Sequence, residues 1–264
     1  GGLLRSIGNE AYDLHWQVLN TLQHGVPQNR ERVYIVGIRK DLAAQSAVEF
    51  SWPEPLSSRP SIESLLDPQR EGDAPLSLET LPRAAKSRLH VEMALADIIA
   101  SGQNPLEEAL IVDCDASLAY CTYMEDRSMC ITHSRPKGFW VTNRCRRLRL
   151  GEMMRLQGMD DLKFTQAVPD RQLGVQIGNA MSQNILERIL VRLLPAAGLV
   201  SADLLHDRWQ AADQKAQRKR KRRDPEAAEP TVPLREKAGK RLGAKPKVRS
   251  KVDDNNNTNN NNNC

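Results

Sequence analysis

Apolar and polar residues alternate along the early chain, with Tyr12, Leu14, Trp16 and Val18 in phase. A two-residue period predicts a strand with one face against a core. Residues 24–27 carry turn chemistry, and VYIVGI (residues 33–38) then runs apolar and β-branched without a break. That run predicts a strand buried on both faces. From about residue 41 the pattern becomes irregular, with prolines recurring from Pro53 to Pro105. Within this stretch Ser61 is placed to cap IESLL, and residues 87–100 have helical periodicity. Residues 111–142 read as strands broken by turns at 113–116 and 135–138. Helical character returns at Leu150. A further helix is predicted over 180–194, where Ile185, Leu186, Ile189, Leu190 and Leu193 form one stripe before Pro195 and Gly198 stop it.

Composition changes this picture mainly at the C-terminal end. Residues 199–264 are expected to be a basic, low-complexity, disordered tail, because such a sequence cannot bury enough apolar surface to fold. Net charge is +5 overall. Residues 211–254 hold 15 Lys and Arg against 7 Asp and Glu, so the basic character belongs to the tail. No apolar run approaches the roughly 20 residues that cross a bilayer, so no membrane partner is expected. The cysteines Cys114, Cys121, Cys130, Cys145 and Cys264 are loosely spaced, without a CxxC pair. That predicts reduced thiols of an intracellular protein and no metal site.

Three stretches carry candidate chemistry. In GVPQNRERVYIVG (residues 25–37), Pro27 fixes a turn and Gln28, Arg30 and Arg32 follow on alternate positions of an extended path. Such planar donors can grip a phosphate or a base edge, with arginine doing so bidentately, or they can line a solvated turn. In RRLRLGEMMRLQGM (residues 146–159), Arg146 and Arg155 stand near Glu152, as on a salt-bridged helix surface. In QIGNAMSQN (residues 176–184), Gly178 and Asn179 precede the predicted helix. They either offer a polar ligand backbone amides at a helix N-terminus, or Asn179 simply caps its own helix.

The order and content of these stretches resemble the C-terminal half of the cytosine-5 DNA methyltransferase family. Gln28, Arg30 and Arg32 match its QxRxR motif. Arg146, Leu148, Glu152, Arg155 and Gly158 match the motif after its target recognition region, and Gln176, Gly178 and Asn179 match its last motif. MCITHSRPKGFW (residues 129–140) looks like the segment by which the family leaves its recognition region.

The resemblance implies an α/β fold: the C-terminal part of a Rossmann-like S-adenosylmethionine-dependent methyltransferase, with a small target recognition domain. Late strands of the catalytic domain would occupy 1–40, recognition 41–145, and the return to the catalytic domain 146–198. It implies transfer of a methyl group from S-adenosylmethionine to C5 of a cytosine flipped out of DNA, since the ring face is unreachable inside the duplex. Arg32 would hold the cytosine O2 edge, while Arg30 and Gln28 organise the site. Gly178, Asn179 and Ala180 would border the cofactor, and Arg146, Glu152 and Arg155 would join recognition region to core.

The departures are equally specific. No cysteine here follows a proline, and the family's Pro-Cys nucleophile, Glu-Asn-Val and glycine-rich cofactor motifs do not occur. A missing N-terminal half is therefore expected, with the chain inactive alone; the alternative is a non-catalytic DNA-binding remnant. Arg218, Lys219, Arg220, Lys221, Arg222 and Arg223 suit importin's acidic grooves, implying a nuclear protein, or DNA phosphates.

Overall fold

A computed structural model describes residues 11–117, 120, 122–223 and 240–241. Strands β1 (Tyr12–Asn20) and β2 (Glu31–Arg39) form an antiparallel hairpin in which Trp16 faces Ile35 and Val18 faces Val33. A single turn, α1 (Lys40–Ala43), follows. Its successors are α2 (Ala85–Ala100), then β3 (Leu110–Val112), β4 (Thr122–Glu125), β5 (Trp140–Val141) and β6 (Arg146–Arg147). Helices α3 (Leu150–Leu156), α4 (Asp170–Asn179), α5 (Gln183–Ala196) and α6 (Arg208–Arg223) come next. Strand β7 (Lys240–Arg241) pairs with β4 and completes a five-stranded antiparallel sheet ordered β6-β5-β3-β4-β7. The mixed α/β class expected from the sequence is present.

The two expected strands form, but both bury differently. Tyr34, Val36 and Ile38 pack with Leu19 against Ile185 and Ile189 of α5. Val33 and Ile35, on the opposite face, stay 60% and 57% exposed beside Trp16 at 58%. The physical reason is that the hairpin is a two-stranded sheet with α5 on one side, and no described element covers the other. The apolar phase of β1 lies on that uncovered face. The strand closed on both faces is instead β3: Ile111 joins one core with Phe139, Leu148 and Met153, while Leu110 and Val112 join another with Val91 and Ile98 of α2.

The core around Ile111 also includes Met129, Ile131, Leu156 and Ile177, so residues 41–145 and the C-terminal helices share it. The expected boundary between 145 and 146 falls within the sheet, because β6 pairs with β5 across it. Ser61 caps its short turn as expected, accepting from the Glu63 amide. Helix α4 has no counterpart in the sequence reading. Helix α5 starts at Gln183 rather than 180 and runs through Pro195, which has no amide to donate to the preceding turn and stands one residue before the helix ends at Ala196.

The disordered tail expected from residue 199 is corrected as far as Arg223. Asp207 caps α6, its Oδ1 accepting from the amides of Trp209 and Gln210, while its Oδ2 meets buried Arg188 at 2.8 Å. Asp213, one turn on, is 8% exposed. Two polar anchors and the Trp209 ring therefore hold a segment whose composition reads as unfoldable. Residues 224–239 and 242–264, with Cys264, lie outside the described residues, as does Cys121.

Candidate functional site

The turn into β2 is built by a side chain that substitutes for backbone. Asn20 Oδ1 accepts from the amides of Leu22 and Arg30, and its Nδ2 donates to Asn29 at 2.7 Å. Gly25, at φ +94°, completes the reversal in a conformation that suits glycine. Gln28, Arg30 and Arg32 then emerge on alternate positions and all reach toward residues 128–131.

Their environments differ sharply. Gln28 is wholly buried: its Nε2 donates to the Leu156 carbonyl at 2.5 Å and its Oε1 accepts from the Ile131 amide at 3.0 Å. It thus bonds residue 131 to the end of α3 and has no face left for a ligand. Arg30 is 4% exposed and donates to the carbonyls of Ile131 and Ala180, each at 2.7 Å. Arg32 is exposed, donating to the Glu31 carbonyl at 2.6 Å. Both guanidiniums reach the Cys130 sulfur at 3.2 Å. Burial pushes the nearby Tyr34 phenol up, against the pull of Arg30 and Arg32, so it stays neutral beneath them. Of the three, Arg32 alone is exposed, with donors available to a ligand.

The residues of the last motif sit differently from expectation. Gly178 and Asn179 end α4, and Ala180 is its C-cap, whereas α5 begins after Ser182. They occupy a helix C-terminus, not an N-terminus, because AMS (residues 180–182) forms an extended link between two helices. A Cβ on Gly178 would stand 2.3 Å from the His133 amide nitrogen, and one on Gly174 only 2.1 Å from the Pro136 carbonyl oxygen. Both glycines let α4 lie directly on residues 132–136. Asn179 is exposed beside them.

Arg146, Glu152 and Arg155 converge on residues 65–67. Glu152 is fully buried and takes a bidentate bond from Arg146 at 2.7 and 2.9 Å. It also accepts from the amides of Asp67 and Arg149, at 2.8 and 2.6 Å. These four donors satisfy the carboxylate that burial would otherwise penalise. Arg155 bridges the Leu65 carbonyl, Asp67 and Asp161. Although burial opposes it, Arg155 and Arg149 hold the Asp67 carboxyl below its usual range. Helix α3 and β6 thereby grip the chain at residues 65–67.

Residues 2–194 match the C-5 cytosine-specific DNA methylase family. The chain belongs to that family. Type II methyltransferase M.NgoBI of Neisseria gonorrhoeae is 29% identical over 198 residues, covering 74% of this chain and 56% of that protein. Type II methyltransferase M.HaeII of Haemophilus aegyptius is 28% identical, covering 67% of this chain and 49% of that protein. The solved structure of Entamoeba histolytica methyltransferase EhMeth has a TM-score of 0.42 at 14% identity, covering 70% of this chain and 54% of that one. The chain spans about half the length of these relatives.

Within this member of the methylase family, sequence reasoning missed Cys130, the residue on which the two arginines meet. No local signal marks it, since its role comes from residues roughly a hundred positions away. It also missed His24, wholly buried on the Arg30 turn, with Nδ1 accepting from Arg188 at 2.5 Å. Burial and the Arg188 charge push the His24 imidazole down to about 4, with Asp207 opposing. Among the described residues no cluster has the makings of a metal site, and no helix is long and apolar enough to cross a membrane.

Proposed function

We propose that this chain supplies the base-gripping and target-recognition half of a DNA cytosine-5 methyltransferase. One observation carries the reading: Arg30, just before β2, and Arg32 within it converge with the recognition exit, at Cys130, and with the end of α4, at the Ala180 carbonyl. Three stretches far apart in sequence thus meet at one point. Arg30, consumed by protein acceptors, is the positioning group. Arg32 offers its remaining donors to the O2 edge of a flipped cytosine, where a fixed cation stabilises charge developing on the ring. Gln28 keeps the recognition exit in register with α3.

S-adenosylmethionine, the proposed cofactor, would supply the methyl group. The residues fit it in one respect that the sequence reading had reversed. A helix C-terminus presents partial negative charge, and exposed Asn179 stands there. That suits the cofactor's sulfonium and ammonium groups better than an anion.

No cysteine follows a proline in this sequence, so the nucleophile is proposed to come from a further segment. The uncovered hairpin face, with Trp16, Val33 and Ile35 more than half exposed, supports docking there. A two-stranded sheet alone is marginal in water. Residence in the nucleus is proposed on the basic run at residues 218–223 alone. The second reading, a DNA-binding remnant without chemistry, rests on the same missing Pro-Cys.

Methylation assays separate the two. The chain would be incubated with unmethylated DNA and S-adenosylmethionine, alone and with the N-terminal half of M.NgoBI supplying a nucleophile. Mass spectrometry of 5-methylcytosine should detect product only in the mixture, and Arg32→Ala should cut it by roughly 100-fold or more. Product formation indifferent to Arg32→Ala would sink the base-gripping assignment. No product in any mixture, with DNA binding retained, would favour the remnant.

A further inference from the structure

Helix α6 is anchored at one end and strongly charged at the other. Its first two turns are held by side chains from three parts of the molecule. Trp209 Nε1 donates to Glu187 of α5 at 2.7 Å, Arg208 pairs with the same carboxylate, and the indole ring lies over Gly25. Asp213 accepts from the amides of Ser57 and Ser58, at 3.2 and 2.9 Å, and from both their hydroxyls. Against the opposing effect of burial, these bonds from Ser58 and Ser57 hold the Asp213 carboxyl below its usual range. Gln217 reaches back to Asp213 at 2.8 Å.

The anchor continues into the recognition sheet. Arg59, next to Ser58, donates to the Asp126 carbonyl at the end of β4, and Asp126 accepts from the Ile62 amide. The chain after α6 returns to the same place, where β7 pairs with β4. Helix α6 is therefore fixed in orientation relative to the sheet of the recognition region.

Beyond Asp213 the helix carries no acidic residue. Residues 215–223 include Lys215, Arg218, Lys219, Arg220, Lys221, Arg222 and Arg223. Lys215, Arg218 and Lys219 are exposed. Nine helical residues span about 13 Å, so seven positive charges fall on a rod little more than two turns long. Like charges three and four positions apart repel within a helix. The favourable term for cations at a helix C-terminus is small and confined to the last turn. Such a rod is stabilised by an anionic lattice of comparable density. Duplex DNA, with one charge per roughly 1.7 Å of axis, provides one.

We propose that α6 is a second DNA contact, a rigidly mounted basic rod that lies on phosphates flanking the target site. It reads no sequence, and its fixed attachment through Asp213 sets its position relative to the bases that the recognition region meets. The inference rests on the reading of this chain as a DNA-acting half, and adds an element that none of the three motifs contains.

Fluorescence anisotropy of the full chain on a 30-base-pair duplex, across a salt series, tests it. Lys215→Gln, Arg218→Gln and Lys219→Gln combined should weaken binding at least tenfold near 0.1 M salt. The slope of log affinity against log salt should fall by about 2 to 3, at roughly 0.9 for each phosphate no longer neutralised. A second variant inserts Gly-Ser-Gly between Gln217 and Arg218, keeping every charge while uncoupling the rod from its anchor. It should keep the slope but lose the protection of flanking phosphates in hydroxyl-radical footprinting.

An unchanged slope in the triple variant overturns the proposal. An unchanged footprint in the insertion variant overturns the mounting and leaves a loose basic tail. Normal DNA binding with lost nuclear accumulation in the triple variant would assign α6 to import instead. Arg32→Ala keeps the two readings apart, since it should abolish cytosine-dependent binding without altering the salt slope.

Discussion

Arg30 and Arg32 sit two positions apart and are bound into the protein to very different extents. Arg30→Ala removes the donor from two carbonyls, leaving groups in a buried setting without partners, each costing about 1–3 kcal/mol. We expect that variant to lower stability by about 3 kcal/mol in urea denaturation. Arg32→Ala, on the surface, should shift the midpoint by less than about 0.5 kcal/mol. His24 supplies a residue-level pH effect. Its imidazole, lowered to about 4 in the fold from an ordinary 6.5, binds a proton more readily once the chain unfolds. Stability from this group is therefore full above pH 6.5 and is lost as pH falls toward 4. The expected loss between pH 7 and pH 5 is about 2 kcal/mol. His24→Asn should flatten that dependence, and equal slopes in both proteins would exclude His24 as its source.

At the scale of elements, the helices and strands with strong periodicity were legible, and the contacts between them were not. Helix α2 and both strands of the hairpin follow from spacing alone. The placement of Gly178 does not, because a predicted helix start at residue 180 hid a helix that ends there. The decisive fact is the approach of Thr132 and His133, which no local pattern records. Gly178→Ala would push a methyl into backbone that cannot yield cheaply. It should destabilise by about 1–3 kcal/mol and loosen the recognition exit, visible as faster amide exchange at residues 131–133. Normal exchange there would show that α4 and the exit are not coupled. Helix α6 was missed for a related reason: composition argued for a coil, and its order depends on Ser57 and Ser58, over 150 positions away.

For the whole molecule, the sequence pattern misjudged how the hairpin is enclosed. The reading of β2 as closed on both faces took an apolar run as proof of a neighbour. The described chain covers one face only, and Trp16 and Ile35 remain open on the other. Removing those side chains should cost the isolated chain little and improve its behaviour. Trp16→Glu with Ile35→Lys should reduce aggregation in light scattering while abolishing methylation in the complemented mixture. Full methylation by that variant would mean that the hairpin face is not where the proposed nucleophile-bearing segment binds.

That open face also has a cellular consequence. Surveillance by chaperones and proteases acts on apolar strands left in contact with water. A chain bearing Trp16, Val18, Val33 and Ile35 on its surface presents such a signal for as long as the face is vacant. If the proposed second segment covers the hairpin, the chain's lifetime would be set by that encounter, and its abundance would follow the supply of the segment more closely than its own rate of synthesis.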